Sequence, residues 1–124
     1  MKDGKYVILC IDDDEDVLFS LRTILEKNGY AMVQAFSAEE GLKAYKQSNP
    51  DFVIVDLMME SVDAGKQLVK EFKLLDNKAP IYMLSSVGDS LASNVDFSEL
   101  GLNGVFQKPI DTDTLLTTLK TKLK

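Results

Sequence analysis

Short apolar segments recur along this chain about every 20 to 30 residues, and they are rich in the branched and aromatic side chains that favour β-strands. Polar segments with a helical repeat of apolar residues separate them. Strands that alternate with helices form parallel sheets, because a parallel pair of strands needs a long crossover connection. The pattern predicts an α/β fold of five βα units, in a single domain that covers residues 1–124. The predicted strands are Tyr6–Ile11, Ala31–Phe36, Phe52–Val55, Ile81–Leu84 and Val105–Gln107.

The first two helices have recognisable start and stop signals. The first is predicted over Glu15–Lys27, with Asp14 as its N-cap and Gly29 as its C-cap. The second follows a capping box at Ser37–Glu40, whose serine hydroxyl and glutamate carboxylate accept hydrogen bonds from free backbone amides, and Pro50 ends it. The residues predicted to face inward are Val17, Leu21, Ile24, Leu25 and Asn28 in the first helix and Leu42 and Tyr45 in the second.

The second half of the chain predicts two further helices clearly and one weakly. One begins near Gly65 and another near Asp111. Between Val87 and Gly104, glycine, serine and asparagine dilute the helical repeat, so only a short fourth helix is expected there. The residues predicted to face inward are Leu68, Val69, Phe72 and Leu75 in the third helix and Leu115, Leu116, Leu119 and Leu123 in the last.

The ionisable residues exclude several classes of protein. The formal charge of −6 and the pI of about 4.6 argue against direct nucleic-acid binding, which needs clustered basic side chains. The chain has no histidine, which rules out imidazole metal sites, Ser-His or Cys-His catalysis and a phosphohistidine of its own. Cys10 is the only cysteine and falls within an apolar segment, so a buried thiol in a reducing compartment is expected. Tyr6–Ile11 is too short to cross a bilayer, so no membrane insertion is expected and the predicted location is cytoplasmic.

Polar residues follow four of the predicted strands at the point where each strand ends. Asp12 and Asp13 follow the first strand, Asp56 the third, Ser85 the fourth and Lys108 the last. Parallel strands bring their carboxyl ends to one edge of the sheet, so these side chains are expected to converge. A cluster of carboxylates is costly without a cation, and an all-oxygen set suits Mg²⁺ better than zinc. The sequence therefore predicts a Mg²⁺ site with a lysine beside it.

The individual residues are weaker signals than the set. Asp56 alone could be a strand-ending cap, Asp12 and Asp13 an acidic helix start, Lys108 a surface lysine and Ser85 an ordinary hydroxyl. Together, three carboxylates and one ammonium carry a charge of −2, which one Mg²⁺ neutralises. Asp56 is the predicted nucleophile, because its apolar strand keeps competing water away while Mg²⁺ orients the carboxylate. A phosphoryl group on Asp56 would then add a tolerable charge.

These segments resemble the receiver domain of two-component response regulators, in its stand-alone form similar to chemotaxis regulators. Val7–Asp13 is similar to the first strand and acid pair of receivers, and Pro50–Met59 is similar to their phosphoacceptor strand. Ser85 stands at the hydroxyl position, and Lys108 precedes Pro109 as the receiver lysine does. The resemblance covers essentially the whole chain. It implies a flavodoxin-like, doubly wound sheet of five parallel strands in the order 2-1-3-4-5, with its switch point between the first and third strands.

The resemblance also implies a reaction and its partners. A sensor histidine kinase or a histidine phosphotransfer protein would donate a phosphoryl group to Asp56. Mg²⁺, with Mn²⁺ as a substitute, would be held by Asp13, Asp56 and the Met58 carbonyl, and by Asp12 through water. Such a domain is a signalling receiver that catalyses its own phosphorylation and dephosphorylation, rather than an enzyme with a separate substrate.

The response to phosphorylation is likewise implied by the resemblance. Ser85 and Lys108 would each bind a phosphoryl oxygen, and this would shift an existing equilibrium towards an active surface. The fourth helix, fifth strand and fifth helix would form that surface, which would act on a downstream protein target or support a phosphorylation-dependent homodimer. Nothing follows the last predicted helix, so no output domain is expected within this sequence.

Several positions differ from the usual receiver pattern. Val105 lies three residues before Lys108, where many receivers carry a rotating aromatic residue, and Phe106 would face the opposite side of the strand. Glu60 stands where proline is common, so the loop after Asp56 is expected to differ. Apolar side chains also occupy two positions that influence attack by water, and slow self-dephosphorylation is therefore expected. These two residues are Met58 and Val87.

Other functions fit the sequence less well. Asp12 and Asp14 formally make the Asp-x-Asp motif of a haloacid-dehalogenase-type phosphohydrolase, but the chain is too short for a cap domain. A flavin-binding flavodoxin would need backbone amides and hydroxyls at its phosphate, where this chain has acidic residues. A phosphorylation-independent pseudo-receiver is disfavoured by the complete acidic site. A phosphorelay intermediate and a regulator that contacts its target directly both remain open.

Overall fold

Five strands form the centre of the protein. The computed structural model describes residues 4–56, 62–75, 78–86, 102–108 and 110–123. The strands are β1 Val7–Ile11, β2 Ala31–Ala35, β3 Phe52–Asp56, β4 Ile81–Ser86 and β5 Gly104–Lys108. All neighbours pair in parallel, and the order across the sheet is β2-β1-β3-β4-β5. The predicted fold class and strand order are confirmed.

Four helices are present in the described ranges. They are α1 Glu15–Lys27, α2 Ala38–Ser48, α3 Val62–Leu74 and the C-terminal helix Thr112–Lys122. The fourth helix of the prediction falls in residues 87–101, which lie outside the described residues. No helix in the described part of the chain is long and apolar enough to span a bilayer.

The helix starts form where the capping residues predict them, and the C-cap of α1 lies one residue before the predicted Gly29. Asp14 caps α1 by accepting a hydrogen bond from the Asp16 amide, and the Ser37 hydroxyl caps α2 by accepting one from the Glu40 amide. At the other end of α1, Asn28 is the C-cap and Gly29 follows it with φ of +87°. Glycine has no Cβ and adopts this left-handed conformation without steric cost, so the position just after the cap suits it.

The sheet buries one core on each face. α1 and the C-terminal helix cover one face, and α2 and α3 cover the other. Every residue of β1 and β3 is buried, as expected for central parallel strands with helices on both sides. On the face of the C-terminal helix, the rings of Phe52, Tyr82 and Phe106 stack across three neighbouring strands, with centroids 5.1 and 4.9 Å apart. This stack of rings joins β3, β4 and β5, the strands that lead to the edge with the polar residues.

The first helix buries a stripe that differs in part from the prediction. Leu18, Leu21 and Leu25 are its buried residues, whereas Asn28 is exposed. The Asn28 side chain instead donates a hydrogen bond to the Ile24 carbonyl at 2.7 Å. The side-chain amide of Asn28 therefore supplies a hydrogen bond to one of the last carbonyls of the helix. These carbonyls have no partner within a helix and otherwise bind water or another capping group.

Several element boundaries and buried positions also differ from the prediction, and β3 and β5 include Asp56 and Lys108 as their last residues. α3 begins at Val62, three residues before Gly65, because packing of the helix on the core outweighs the cost of about 1 kcal/mol for a glycine in a helix. Leu75 is 42% exposed, since it lies past the end of α3. β4 continues through Ser86, so Ser85 belongs to the strand instead of following it. In the C-terminal helix, Leu115 and Leu119 are fully buried, and Leu116 and Leu123 are only half-buried.

The N-cap of the C-terminal helix contains an acid-sensitive contact. Asp111 Oδ2 accepts hydrogen bonds from the Thr114 hydroxyl and amide, which hold the pKa of this carboxyl below its ordinary value of 3.8. A carboxyl with a lowered pKa in the folded state adds stability above its unfolded pKa, and the stability is lost as the pH falls through the folded pKa. We expect the difference in melting temperature between wild type and Asp111→Asn to be constant above about pH 5 and to shrink below about pH 4.

Thermal unfolding measured in small pH steps tests this expectation. Asparagine is a matched replacement, because it is also a good N-cap but does not titrate. A difference that stays the same down to about pH 2 would show that the Asp111 contacts are not formed in solution.

Candidate functional site

The predicted polar residues meet at the carboxyl edge of the sheet. Asp12 directly follows β1, while Asp56 and Lys108 are the last residues of β3 and β5. β1 and β3 are neighbours at the point where the strand order reverses, so Asp12 and Asp56 flank the switch point of the sheet. Asp12 and Asp56 are buried, whereas Asp13 is exposed. One carboxylate oxygen from each of the three aspartates lies within 4.8 Å of the others.

The Lys108 ammonium bridges two of these carboxylates. Its Nζ lies 2.9 Å from Asp12 Oδ2 and donates a hydrogen bond of 3.1 Å to Asp56 Oδ2. Lys108 crosses from the edge strand β5 to reach the centre of the sheet, and its side chain is 21% exposed. The long methylene stem of lysine allows this span and brings the ammonium to the two carboxylates.

Backbone groups hold Asp12 in its position. Its amide donates to the Ala35 carbonyl at 3.1 Å, which extends the pairing of β1 with β2 by one residue. Its Oδ1 accepts a hydrogen bond of 2.9 Å from the Asp14 amide. Sequence reasoning assigned Asp14 only a role as helix cap. The signal for this second contact was present, because an aspartate commonly accepts a hydrogen bond from the amide two residues later.

The donor set fits a hard divalent cation. Among the described residues, Asp12 Oδ2 is the buried side-chain oxygen that accepts no hydrogen bond, although the Lys108 ammonium lies beside it. A buried carboxylate oxygen is costly unless a donor or a cation satisfies it. Three carboxylates with no nitrogen or sulfur ligand match Mg²⁺, which binds oxygen and keeps several waters.

The site perturbs two of its ionisable groups. Burial raises the pKa of the Asp12 carboxyl, and repulsion by Asp56 adds to this, against the hydrogen bond from Asp14 and the attraction of Lys108. Burial disfavours the Lys108 charge, but the contacts with Asp12 and Asp56 together outweigh this and raise the pKa of Lys108. The ammonium is therefore charged throughout the physiological range.

Other predicted site residues are described only in part. Ser85 lies in β4, one residue past Leu84, the register partner of Asp56, and opposite Gln107 of β5. Its backbone thus reaches the same edge as Asp56, and its side chain lies outside the described atoms. Met58 and Val87 both lie outside the described residues.

Val105 and Phe106 face opposite sides of the sheet. Val105 is half-buried and packs on the core beneath α2 and α3, whereas Phe106 is buried against Tyr82 on the other side. The strand register therefore prevents Phe106 from taking the place of an aromatic residue at position 105.

Comparisons with known proteins give a consistent result. The chain matches the response regulator receiver domain over residues 8–120. It is 31% identical over 117 residues to the chemotaxis protein CheY of Bacillus subtilis, covering 94% of this chain and 96% of CheY. It is 34% identical over 108 residues to the transcriptional regulatory protein GlrR of Escherichia coli, covering 87% of this chain and 24% of GlrR. The high-resolution structure of the chemotaxis response regulator CheY4 of Vibrio cholerae is similar with a TM-score of 0.84 and 25% identity, covering 97% of this chain and 100% of CheY4.

The extent of these matches differs between relatives. The chain spans about half or less of the length of the transcriptional regulators that it matches. It spans nearly the whole of the Bacillus subtilis CheY, and the receiver match covers most of its own residues. On these grounds the chain belongs to the response regulator receiver domains, the signalling domains of two-component systems.

Proposed function

We propose that residues 1–124 form a single receiver domain that takes a phosphoryl group from a partner phosphohistidine onto Asp56. One observation carries this proposal: three carboxylates, among them the buried Asp56, converge with the Lys108 ammonium at the switch point of the sheet. The donor is a sensor histidine kinase or a histidine phosphotransfer protein, because the chain has no histidine of its own. The family membership supports the same partner.

The chemistry of transfer follows from the positions of the charged groups. An Asp56 carboxylate oxygen attacks the phosphorus, the bond between phosphorus and the imidazole nitrogen breaks, and that nitrogen keeps the bonding electron pair. Asp56 is buried at the end of a rigid central strand, which orients the carboxylate and limits competing water. Lys108 is within reach of the same carboxylate and can pair with a phosphoryl oxygen once transfer has occurred.

Asp12, Asp13, Asp56 and the Met58 carbonyl are the groups proposed to hold Mg²⁺, with Mn²⁺ as a substitute. When bound, the ion neutralises the charge of the carboxylates and of the phosphoryl oxygens. The exposed Asp13 lies on the solvent side of the site, so the ion can enter without opening the core. Asp12 is fixed by backbone contacts and can orient the ion through water.

The output belongs to the same proposal. Ser85 is proposed to bind a second phosphoryl oxygen and to draw its loop inward, which shifts the domain towards an active surface. This surface includes β5 and the C-terminal helix, and it regulates a downstream protein in the cytoplasm or supports a homodimer. Because Val105 replaces the aromatic residue found in many receivers, the surface is expected to respond without aromatic rotation at that position.

Intact-mass analysis after incubation with acetyl phosphate tests the proposal. We expect wild type to gain one phosphoryl group in the presence of Mg²⁺ and none when the metal is chelated. Asp56→Asn is expected to gain none, because the amide oxygen is a poor nucleophile. Asp113→Asn is the matched control, since it removes the same charge from an exposed position on the C-terminal helix.

Two results would count against phosphorylation at Asp56. An equal gain in Asp56→Asn would assign the modification to another residue. No gain in folded, metal-bound wild type, with a phosphorylated histidine protein also inactive as donor, would favour a phosphorylation-independent adaptor.

A further inference from the structure

Two exposed leucines lie at the end of α3, on the edge of the sheet opposite the candidate site. Leu74 is 79% exposed and Leu75 is 42% exposed, and among the described residues Phe19 is the only other large apolar side chain that is exposed. Leu75 borders a groove of about 350 Å³ between the C-terminal ends of α2 and α3. We define the α2–α3 groove as this leucine pair with the other residues that line the cleft, which are Tyr45, Asn49, Pro50, Asp51, Lys78 and Ala79.

The α2–α3 groove lies in a basic part of an acidic chain. Between residues 43 and 78, every charged side chain that is exposed in the described part of the chain is a lysine. The two half-buried carboxylates in this range accept hydrogen bonds, Asp51 from the Val7 amide and Glu71 from the Gln67 side chain. The lysines are Lys43, Lys46, Lys70, Lys73 and Lys78. The described surface around the groove is therefore positive, although the whole chain has a formal charge of −6.

Helix stability explains only part of this surface. Lysines in the last turn of a helix are favoured by the macrodipole, which accounts for Lys46 in α2 and Lys73 in α3. It does not account for Lys78, which lies beyond α3. Nor does a helix end need an apolar side chain as exposed as Leu74, whereas binding surfaces often combine exposed apolar side chains with a charged rim.

We propose that the α2–α3 groove binds an acidic segment of a partner protein, with an apolar side chain of the segment packed on Leu74 and Leu75 and its carboxylates paired with the neighbouring lysines. A positive surface attracts and orients an acidic segment, and the apolar contact adds affinity. A concave groove fits a side chain of a peptide, whereas a lipid bilayer presents a broad surface. The ring of Tyr45 stacks on the buried Phe72, so one wall of the groove is already fixed before a partner binds.

A partner in this groove leaves the candidate site open. The groove lies at the amino ends of β3 and β4, and Asp56 is the last residue of β3. The five residues of β3 extend over about 16 Å, which separates the two places. Binding in the groove therefore does not require phosphorylation, and the inference is independent of the proposed function. Asp56→Asn should bind the acidic segment as wild type does.

Fluorescence anisotropy of a labelled synthetic peptide, with two leucines among glutamates, tests the proposal. We expect saturable binding to wild type that weakens as salt is raised, because salt screens the attraction between exposed charges. Lys73→Glu combined with Lys78→Glu should weaken binding on the order of tenfold. Leu74→Ser should weaken it about fivefold, through the loss of apolar contact. These three positions are exposed, so the variants are expected to keep the fold.

Matched controls separate a local effect from a general one. Lys120→Glu combined with Lys122→Glu changes the net charge by the same amount at exposed positions on the C-terminal helix. Phe19→Ser removes an exposed apolar side chain from α1. Both controls should bind the peptide as wild type does. A peptide in which serine replaces both leucines should bind wild type more weakly than the original peptide.

Four results would overturn the inference. Wild type could show no saturable binding of the peptide, or the Lys120 and Lys122 variant could lose as much affinity as the Lys73 and Lys78 variant, which would assign the attraction to net charge. Binding to phosphatidylglycerol vesicles without binding to the peptide would assign the surface to a lipid bilayer. Self-association in sedimentation that Lys73→Glu with Lys78→Glu abolishes, again without peptide binding, would assign it to a second copy of the chain.

Discussion

Phe72→Ala is expected to lower the free energy of unfolding by about 3–5 kcal/mol. Phe72 on α3 is completely buried, and its ring stacks on Tyr45 of α2 with centroids 4.4 Å apart. The substitution removes a buried ring, leaves a cavity and breaks the stacked pair that joins the two helices. Since a small domain is stable by only about 5–15 kcal/mol, this loss is a large part of the total. Urea unfolding followed by circular dichroism measures it.

Phe19→Ala is the matched control for this prediction. Phe19 on α1 is 71% exposed, so the same truncation removes little buried surface and should change the free energy of unfolding by less than about 0.5 kcal/mol. If both variants lost similar stability, the result would contradict the burial of Phe72 between α2, α3 and the sheet.

Asp13→Asn is expected to lower the affinity for Mg²⁺ by on the order of a hundredfold. Asp13 supplies one of the three clustered carboxylates, and replacing it removes both a ligand and a negative charge. Because Asp13 is exposed, the free energy of unfolding in chelator should stay within about 0.5 kcal/mol of wild type. Calorimetric titration with Mg²⁺, together with urea unfolding in chelator, separates these two effects.

The control for Asp13→Asn is again Asp113→Asn. It lowers the net negative charge equally, so it accounts for any general electrostatic effect on cation binding. If the two variants bound Mg²⁺ equally well, Asp13 would have no direct part in the metal site.

The architecture could be predicted because its local signals agree with one another. The apolar segments marked every strand of the sheet, and Asp14, Ser37 and Asp111 marked three helix starts at the residues where the structure has caps. Helix faces were harder to predict. Leu18 and Asn28 differ in polarity but both fit a helical repeat, and only the packing of α1 on the sheet decides which is buried.

The sequence predicts which residues of the candidate site lie near one another, but it does not predict which of their atoms are in contact. Parallel topology brings Asp12, Asp56 and Lys108 to one edge, and that much follows from the order of strands along the chain. The bridge from Lys108 to both carboxylates depends on side-chain conformations across three strands, which no local pattern specifies. The start of α3 was missed for a related reason, since Gly65 is a local break signal that packing overrides.

The buried position of Cys10 makes its thiol a probe for the opening of β1. Cys10 lies two residues before Asp12, between Gln34 of β2 and Ile54 of β3, and is fully buried. Burial also raises the pKa of its thiol, so the reactive thiolate is scarce while the strand is closed. Alkylating reagents can reach this single thiol only when β1 opens. The labelling rate therefore reports the opening of the strand that leads into the carboxylate cluster, and any ligand that ties β1 to β3 through Asp12 and Asp56 slows that rate.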